Sequence, residues 1–194
     1  GVLFLLTLWA LRLAGHLSIR NYGISEDIRY KNIRDNNEPY FSLKSLYIIF
    51  LFQALLALII SLPLIASVYS LSPYGIFDKI GLAIILIGLL IETIADLQLN
   101  KFVKADSKGV LNKGLWRYSR HPNYFGECMI WWGFYLVSIS SGYLITIISP
   151  ILMTILLVRV SGVRLMEGTI KKRRPKYDAY VKTTPSFIPW FPKK

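Results

Sequence analysis

Cysteine and acid are both scarce in this chain. One thiol, Cys128, stands among 194 residues, which excludes an internal disulfide and fits no metal-ligand spacing; a small buried apolar residue is the plainer reading of it. Asp and Glu number 11 against 23 Lys and Arg, a formal charge of +12. No basic stretch precedes the first apolar segment and no small-x-small cleavage pattern follows it, so no secretory signal is evident. Internal repeats and low-complexity tracts are missing as well. The chain starts on Gly1 instead of Met, inside an apolar run, and we expect further sequence upstream.

What is present is apolar. Hydrophobic residues make up 54% of the chain and mean hydropathy is +0.45, values suited to a membrane protein. Five segments are long enough to be read as spans: 1–17, 45–70 with Pro63 as a kink, 79–99, 122–140 and 143–162. SLSPYGIFD turns the chain between the second and third, and SISSG between the fourth and fifth, so that the last two helices form a short hairpin. The intervening polar loop 18–44, with room for one short amphipathic helix, carries five basic residues, the loop 100–121 six and the tail from 163 nine. The two opposite turns carry none. All three basic segments fall on one side of a five-span arrangement, which the positive-inside rule makes cytosolic. Basicity is thereby explained by topology, and nucleic acid is not expected as a partner. The expected architecture is all-α: one membrane-embedded domain over 1–194, a basic cytosolic tail over 163–194, and a polar cavity open to the cytosol.

Charges inside the apolar segments carry the functional argument, because each costs roughly 2.5–3.5 kcal/mol at the bilayer centre unless it finds a partner or water. Arg12 and His16 share one face of the first span, and Glu92 and Asp96 one face of the third. Glu127 lies one turn into the fourth and Arg159 near the end of the fifth. The five-span arrangement puts them at similar depth, around one cavity roofed by the loop 100–121 and the tail. Each also has a plainer reading: the arginines snorkel, the acids pair with them, Trp131 and Trp132 belong to an interfacial belt, and KKRRPK in the tail holds anionic lipid.

Belt or lipid binding leaves the run KGLWRYSRHPNYFGE, 113–127, unexplained. Pro122 disfavours helix at His121 and suits a first helical turn, so a polar loop ends at His121 and a helix begins at Pro122 or Asn123. Its unpaired N–H groups, with Arg117, Arg120 and His121 just before them, would hold an anion.

Those residues, with SGVRLMEGTIKKRRPKYDAYVKTTPSFIPW downstream, resemble the C-terminal domain of the steroid 5-alpha-reductase-like membrane family, in its branch with RHPNYFGE and a terminal FIPW. Glu92, Asp96 and Gln98, LWALRLAGHL and EDIRY extend the likeness over nearly the whole chain. The resemblance implies NADPH in a cytosol-facing cavity and hydride transfer to a carbon–carbon double bond of a lipophilic substrate. It places Asp96, Tyr118, Asn123, Glu127 and Arg164 at dinucleotide-contacting positions, with Arg120 and His121 as this branch's version of the motif. Arginines suit phosphates, carboxylates and Asn suit ribose hydroxyls, and Tyr stacks on a ring. The family's upstream proton donor has no assignable equivalent; Tyr30 and Glu26 are the nearest stand-ins. Isoprenylcysteine carboxyl and phospholipid methyltransferases share the element that Arg120, His121, Pro122, Tyr124, Gly126 and Glu167 would fit, with S-adenosylmethionine as the alternative ligand. A non-enzymatic lipid-binding membrane protein is the third reading, and it leaves the acids at depth without a purpose.

Overall fold

A computed structural model describes residues 1–23, 28–71, 73–105, 109–160, 162–163, 166–168, 170, 174 and 176–193, without the side chains of Asn21, Ile28 and Arg29. No strand occurs among them. Helix α1, Val2–Asn21, runs a turn beyond its apolar segment, and α2, Ile28–Asp35, is the short polar helix expected in the loop that follows. Helix α3, Phe41–Val68, contains a π-helical stretch at Leu46–Leu51 and Pro63 in its interior. Helix α4, Ile76–Lys104, starts where Asp78 accepts the Gly75 N–H at 2.8 Å and ends with Lys101 and Lys104 in its last turn, both charges matching the helix dipole.

A 3-10 turn, Gly114–Arg117, leads into α5, Pro122–Ile139, with the proline at its first position as its missing N–H allows. Ser141 N–H to Ser138 O and Gly142 N–H to Ile139 O then reverse the chain, Gly142 taking φ of 81°. Helix α6, Leu144–Val160, and the short α7, Tyr177–Thr183, complete the order.

Among the described residues three helices, α1, α3 and α4, are long and apolar enough to cross a bilayer. The expected fourth and fifth spans do not meet that requirement: α5 is interrupted by Asn123, Glu127 and small residues, and Leu144–Val160 is shorter. They pack as the expected hairpin beside α4 and α3. Helix α4 measures about 43 Å by its 1.5 Å rise, against a hydrocarbon thickness of about 30 Å, so its two ends cannot both lie within hydrocarbon. Much of the surface of α1 and α3 is uncovered apolar side chain, Phe4, Leu8 and Leu11 on one and Phe50, Phe52, Leu55 and Leu58 on the other. A patch of that kind needs lipid against it.

The core lies between α1, α4 and α5, where Leu5, Ile85, Leu89, Ile130, Trp131, Phe134 and Val137 form one buried cluster. Two glycine pairs allow α4 and α5 to come together. A Cβ on Gly81 or Gly88 would stand 2.7 Å from the carbonyl oxygen of Gly133 or Gly126, and one on Gly126 would stand 2.7 Å from both Gly88 O and Glu92 N. Backbone thus meets backbone along this seam, as small residues permit between membrane helices.

Candidate functional site

The seam brings the intramembrane charges together. Arg12 on α1 reaches across to α4, donating from Nη1 to Asp96 Oδ2 at 2.9 Å and from Nη2 to Glu92 Oε1. Asp96 Oδ1 accepts from Asn123 Nδ2 at 3.2 Å, and His16 Nδ1 stands 3.9 Å from Asp96 Oδ2. Glu127 on α5 accepts two indole N–H bonds, from Trp9 and from Trp131, each at 2.9 Å. Those rings meet edge to face at 5.6 Å. Glu92, Asp96 and Glu127 are all buried, and the acids face Arg12, Asn123 and the indoles instead of lining open space. Trp131 is core, not interfacial belt, because its N–H has a carboxylate to satisfy it. Arg159 is exposed and stands apart from the group, the snorkelling alternative.

A second cluster fastens the tail to the loop before α5. Arg120 donates from Nε and Nη2 to the two oxygens of Glu167 at 2.8 and 3.2 Å, and from Nη1 to Val181 O and Thr184 O, both at 2.8 Å. Four of its five N–H donors are thereby engaged, leaving one Nη2 hydrogen for any ligand. His121 Nε2 lies 3.2 Å from Glu167 Oε1, and its ring stacks on Tyr124 with centroids 5.5 Å apart. Bonds to main-chain carbonyls add to the fastening: Arg120 N–H to Pro185 O at 2.9 Å, Trp190 N–H to Tyr118 O at 2.9 Å, and the Ser119 hydroxyl to Phe187 O at 2.8 Å. The Tyr180 hydroxyl donates to the carbonyls of Trp116 and Ser119, and burial pushes its pKa up.

Burial alone would raise the pKa of Glu167, but hydrogen bonds from His121 and Arg120 and the charge of Arg120 outweigh it, holding the carboxyl below its ordinary value of 4.5. A depressed carboxyl contributes stability above its unfolded pKa and loses it as pH falls through the folded one. The clasp is therefore expected to hold at neutral pH and to loosen only below that ordinary value. Thermal unfolding compared at neutral and acidic pH should show a smaller acid-induced loss for Glu167→Gln than for the wild type; equal losses would show that the pair contributes nothing.

Between the clasp and the end of α4 lies a cavity of about 210 Å³, walled by Leu99, Phe102, Trp116, Tyr124, Met166 and Tyr177. Arg20, Arg120, His121, Asn123 and Arg174 also line it. An open groove of about 720 Å³ adjoins it, sharing Val110 and Tyr180 and carrying Lys113, Arg117 and Lys176. No carboxylate of a described residue lines either space. Gly114 forms part of the groove at φ of 60°, a conformation that favours glycine, and packs on the amide of Gln98, whose Oε1 accepts the Leu115 N–H at 3.0 Å.

The ten candidates thus divide. Arg120, His121, Asn123 and Tyr124 line the cavity; Asp96 stands behind Asn123 and Glu127 behind the indoles. Arg117 lies on the groove, Tyr118 packs edge to face on Phe191, and Glu167 holds Arg120 and His121. Arg164 and Glu26 fall outside the described residues, as does most of KKRRPK. Tyr30 is exposed and accepts from Gln53 Nε2 at 3.1 Å, away from the cavity lining. Sequence reasoning gave no site role to Arg20, Tyr177 or Tyr180 and assigned Arg174, within KKRRPK, to lipid; the three-residue spacing of the two tyrosines in a helix was the available signal.

A family model described as a protein of unknown function, DUF1295, matches residues 1–184. The chain is 26% identical, over 96% of its own length, to an uncharacterised protein of Schizosaccharomyces pombe, and it spans 62% of that relative. No solved structure matches it.

Proposed function

The chain belongs to DUF1295, a family of the steroid 5-alpha-reductase-like superfamily, and on that footing we propose that it is an NADPH-dependent membrane reductase acting on a carbon–carbon double bond of a lipophilic, enone- or steroid-like substrate. One observation carries the choice of cofactor: among the described residues, six cations and no carboxylate line the cavity and its adjoining groove. A phosphorylated dinucleotide needs such a lining. S-adenosylmethionine carries a cation and calls for free acids, whereas both oxygens of Glu167 are held by Arg120.

The fit is in pieces. At about 210 Å³ the cavity is smaller than the roughly 300–1,000 Å³ of whole-ligand sites and suits one ring system. The groove beyond Val110 and Tyr180 offers Lys113, Arg117 and Lys176 to phosphates. Bound NADPH would supply the hydride. The chain's own residues would orient and enclose: Trp116, Phe102 and Tyr124 exclude water, and Asn123, whose buried Oδ1 has no partner among the described residues, keeps an acceptor beside the cavity. With the basic loops on the cytosolic side, the mouth would open to the cytosol, and membrane lipid would supply the substrate.

Thermal stabilisation tests the reading on the full-length chain in lipid nanodiscs. A ligand bound only by the folded form at about a hundred times its Kd adds about 2.7 kcal/mol. NADPH is expected to stabilise the protein more than NADH or S-adenosylmethionine does. A larger shift from S-adenosylmethionine would transfer the assignment to the methyltransferases, and no shift from any of the three would favour a lipid-binding protein.

A further inference from the structure

The aromatic end of the tail has no part in the cavity. Ile188, Trp190 and Phe191 are 66%, 69% and 72% exposed, a large apolar surface for a segment that charge counting places outside the bilayer. Trp190 and Phe191 meet edge to face with centroids 6.3 Å apart, and Phe191 meets Tyr118 at 6.0 Å, so the three rings form one continuous patch. This is not loose chain. Trp190 N–H donates to Tyr118 O at 2.9 Å, Lys193 N–H to Thr183 O at 2.8 Å and the Ser119 hydroxyl to Phe187 O, which pins the segment to the loop before α5 and to α7 while its apolar side chains stay uncovered. Its depth follows from its neighbours. Phe187 packs edge to face on Phe125 at 5.8 Å, within the first turn of α5, and that turn is held to α4 by the bond from Asn123 to Asp96. Along α4, Asp96 precedes Lys101 and Lys104 by about 8–12 Å at a rise of 1.5 Å per residue. Those lysines suit the headgroup layer, about 5–8 Å deep on each face, so the aromatic end of the tail comes at the boundary of headgroup and hydrocarbon. Trp and Tyr rings gather at that boundary in membrane proteins.

We propose that Tyr118, Ile188, Trp190 and Phe191 form a docking surface for the leaflet on the basic side of the protein, the rings entering at the acyl-chain boundary and Lys182 and Lys193 meeting anionic phospholipid headgroups. Both lysines are exposed, and the bond from Lys193 to Thr183 brings Lys182 alongside the patch. Neither lines the cavity or the groove, so the assignment does not depend on the reductase reading. Apolar rings edged by ammonium groups are complementary to an anionic bilayer surface. A second copy seated on the same face would bring those lysines toward one another, and a partner from the cytosol would have to reach rings that stand at the depth of Phe125. Docking fixes the tail against the bilayer, and with it α7, whose Tyr177 and Tyr180 wall the cavity.

The test reads Trp190 by difference on the full chain in phosphatidylcholine nanodiscs. These carry, at equal mole fraction, either phosphatidylcholine or phosphatidylserine brominated near the head of its acyl chains. Trp190→Phe keeps an apolar ring at an exposed position, and its melting temperature is expected to match that of the wild type. The fluorescence that the wild type has and Trp190→Phe lacks is expected to be quenched by both bromolipids. Phosphatidylserine should quench it more, its local enrichment reaching about fivefold for each nearby lysine. Lys182→Gln combined with Lys193→Gln is expected to remove that excess. Phe191→Trp adds a reporter in place of removing one and should show the same pattern, which keeps the test decisive if Trp190→Phe does not fold. Quenching of the Trp190 signal by iodide in the water and by neither bromolipid would overturn the proposal. So would protection from iodide and bromolipids alike, the mark of a second copy or another partner on the patch. Equal quenching by the two lipids would overturn the role given to the lysines.

Discussion

Gly126→Val is expected to abolish, or nearly abolish, recoverable folded protein. A Cβ there would lie 2.7 Å from Gly88 O and Glu92 N, and 2.9 Å from Glu92 Cβ. Two of those three atoms are backbone of α4 and cannot rotate aside, so α5 must move away as a whole. Overpacking typically costs about 1–3 kcal/mol, and this site belongs at or above the top of that range because backbone and not side chain must yield. The displacement would also carry Asn123 from Asp96 and Glu127 from Trp9. Gly15→Ala on α1, where nothing stands within 4 Å of an added Cβ, is the control and should unfold like the wild type. Detergent-solubilised yield and thermal midpoint, read side by side, decide it; a Gly126→Val protein with a wild-type midpoint would mean that the two helices are not in backbone contact.

Arg12→Met is expected to destabilise by about 3–5 kcal/mol, because it leaves Glu92 and Asp96 buried without their cation. The loss belongs to the stranded acids more than to the pair, and it should therefore be reversible. Adding Glu92→Gln and Asp96→Asn to Arg12→Met restores neutrality, and most of the lost midpoint should return. Were the triple variant no better than the single one, the charge argument would fail and the packing of Arg12 itself would be the cause.

How much of this could be read beforehand varies with the physics involved. The order of the helices and the company of the charges were legible, since hydropathy reports which segments are apolar and charge cost reports which residues need partners; Arg12, Glu92, Asp96 and Glu127 do meet. Facing was not. Trp131 was placed at the interface because nothing in its own segment shows that α5 turns it toward Trp9 of α1. Arg159, which belongs by depth, is absent from the group because α6 exposes it. Arg120 shows a different limit: a guanidinium fork suits phosphate and carboxylate equally, and the carboxylate that takes it lies 47 residues downstream. The glycine seam went unread, although Gly81 with Gly88 and Gly126 with Gly133 repeat at one interval on two successive helices. Tyr177 and Tyr180 were hidden by charge, in a tail whose basic residues drew a lipid explanation first.

The polar interior of α5 also bears on how the chain enters its membrane. That helix is not among those apolar enough to cross unaided, and apart from its own Trp131 the groups that make Asn123 and Glu127 tolerable in hydrocarbon, Trp9, Asp96 and through it Arg12, precede it in the chain. During synthesis the earlier helices would already be in place when α5 leaves the ribosome. They would act as its template, so that integration and folding of this segment become a single event.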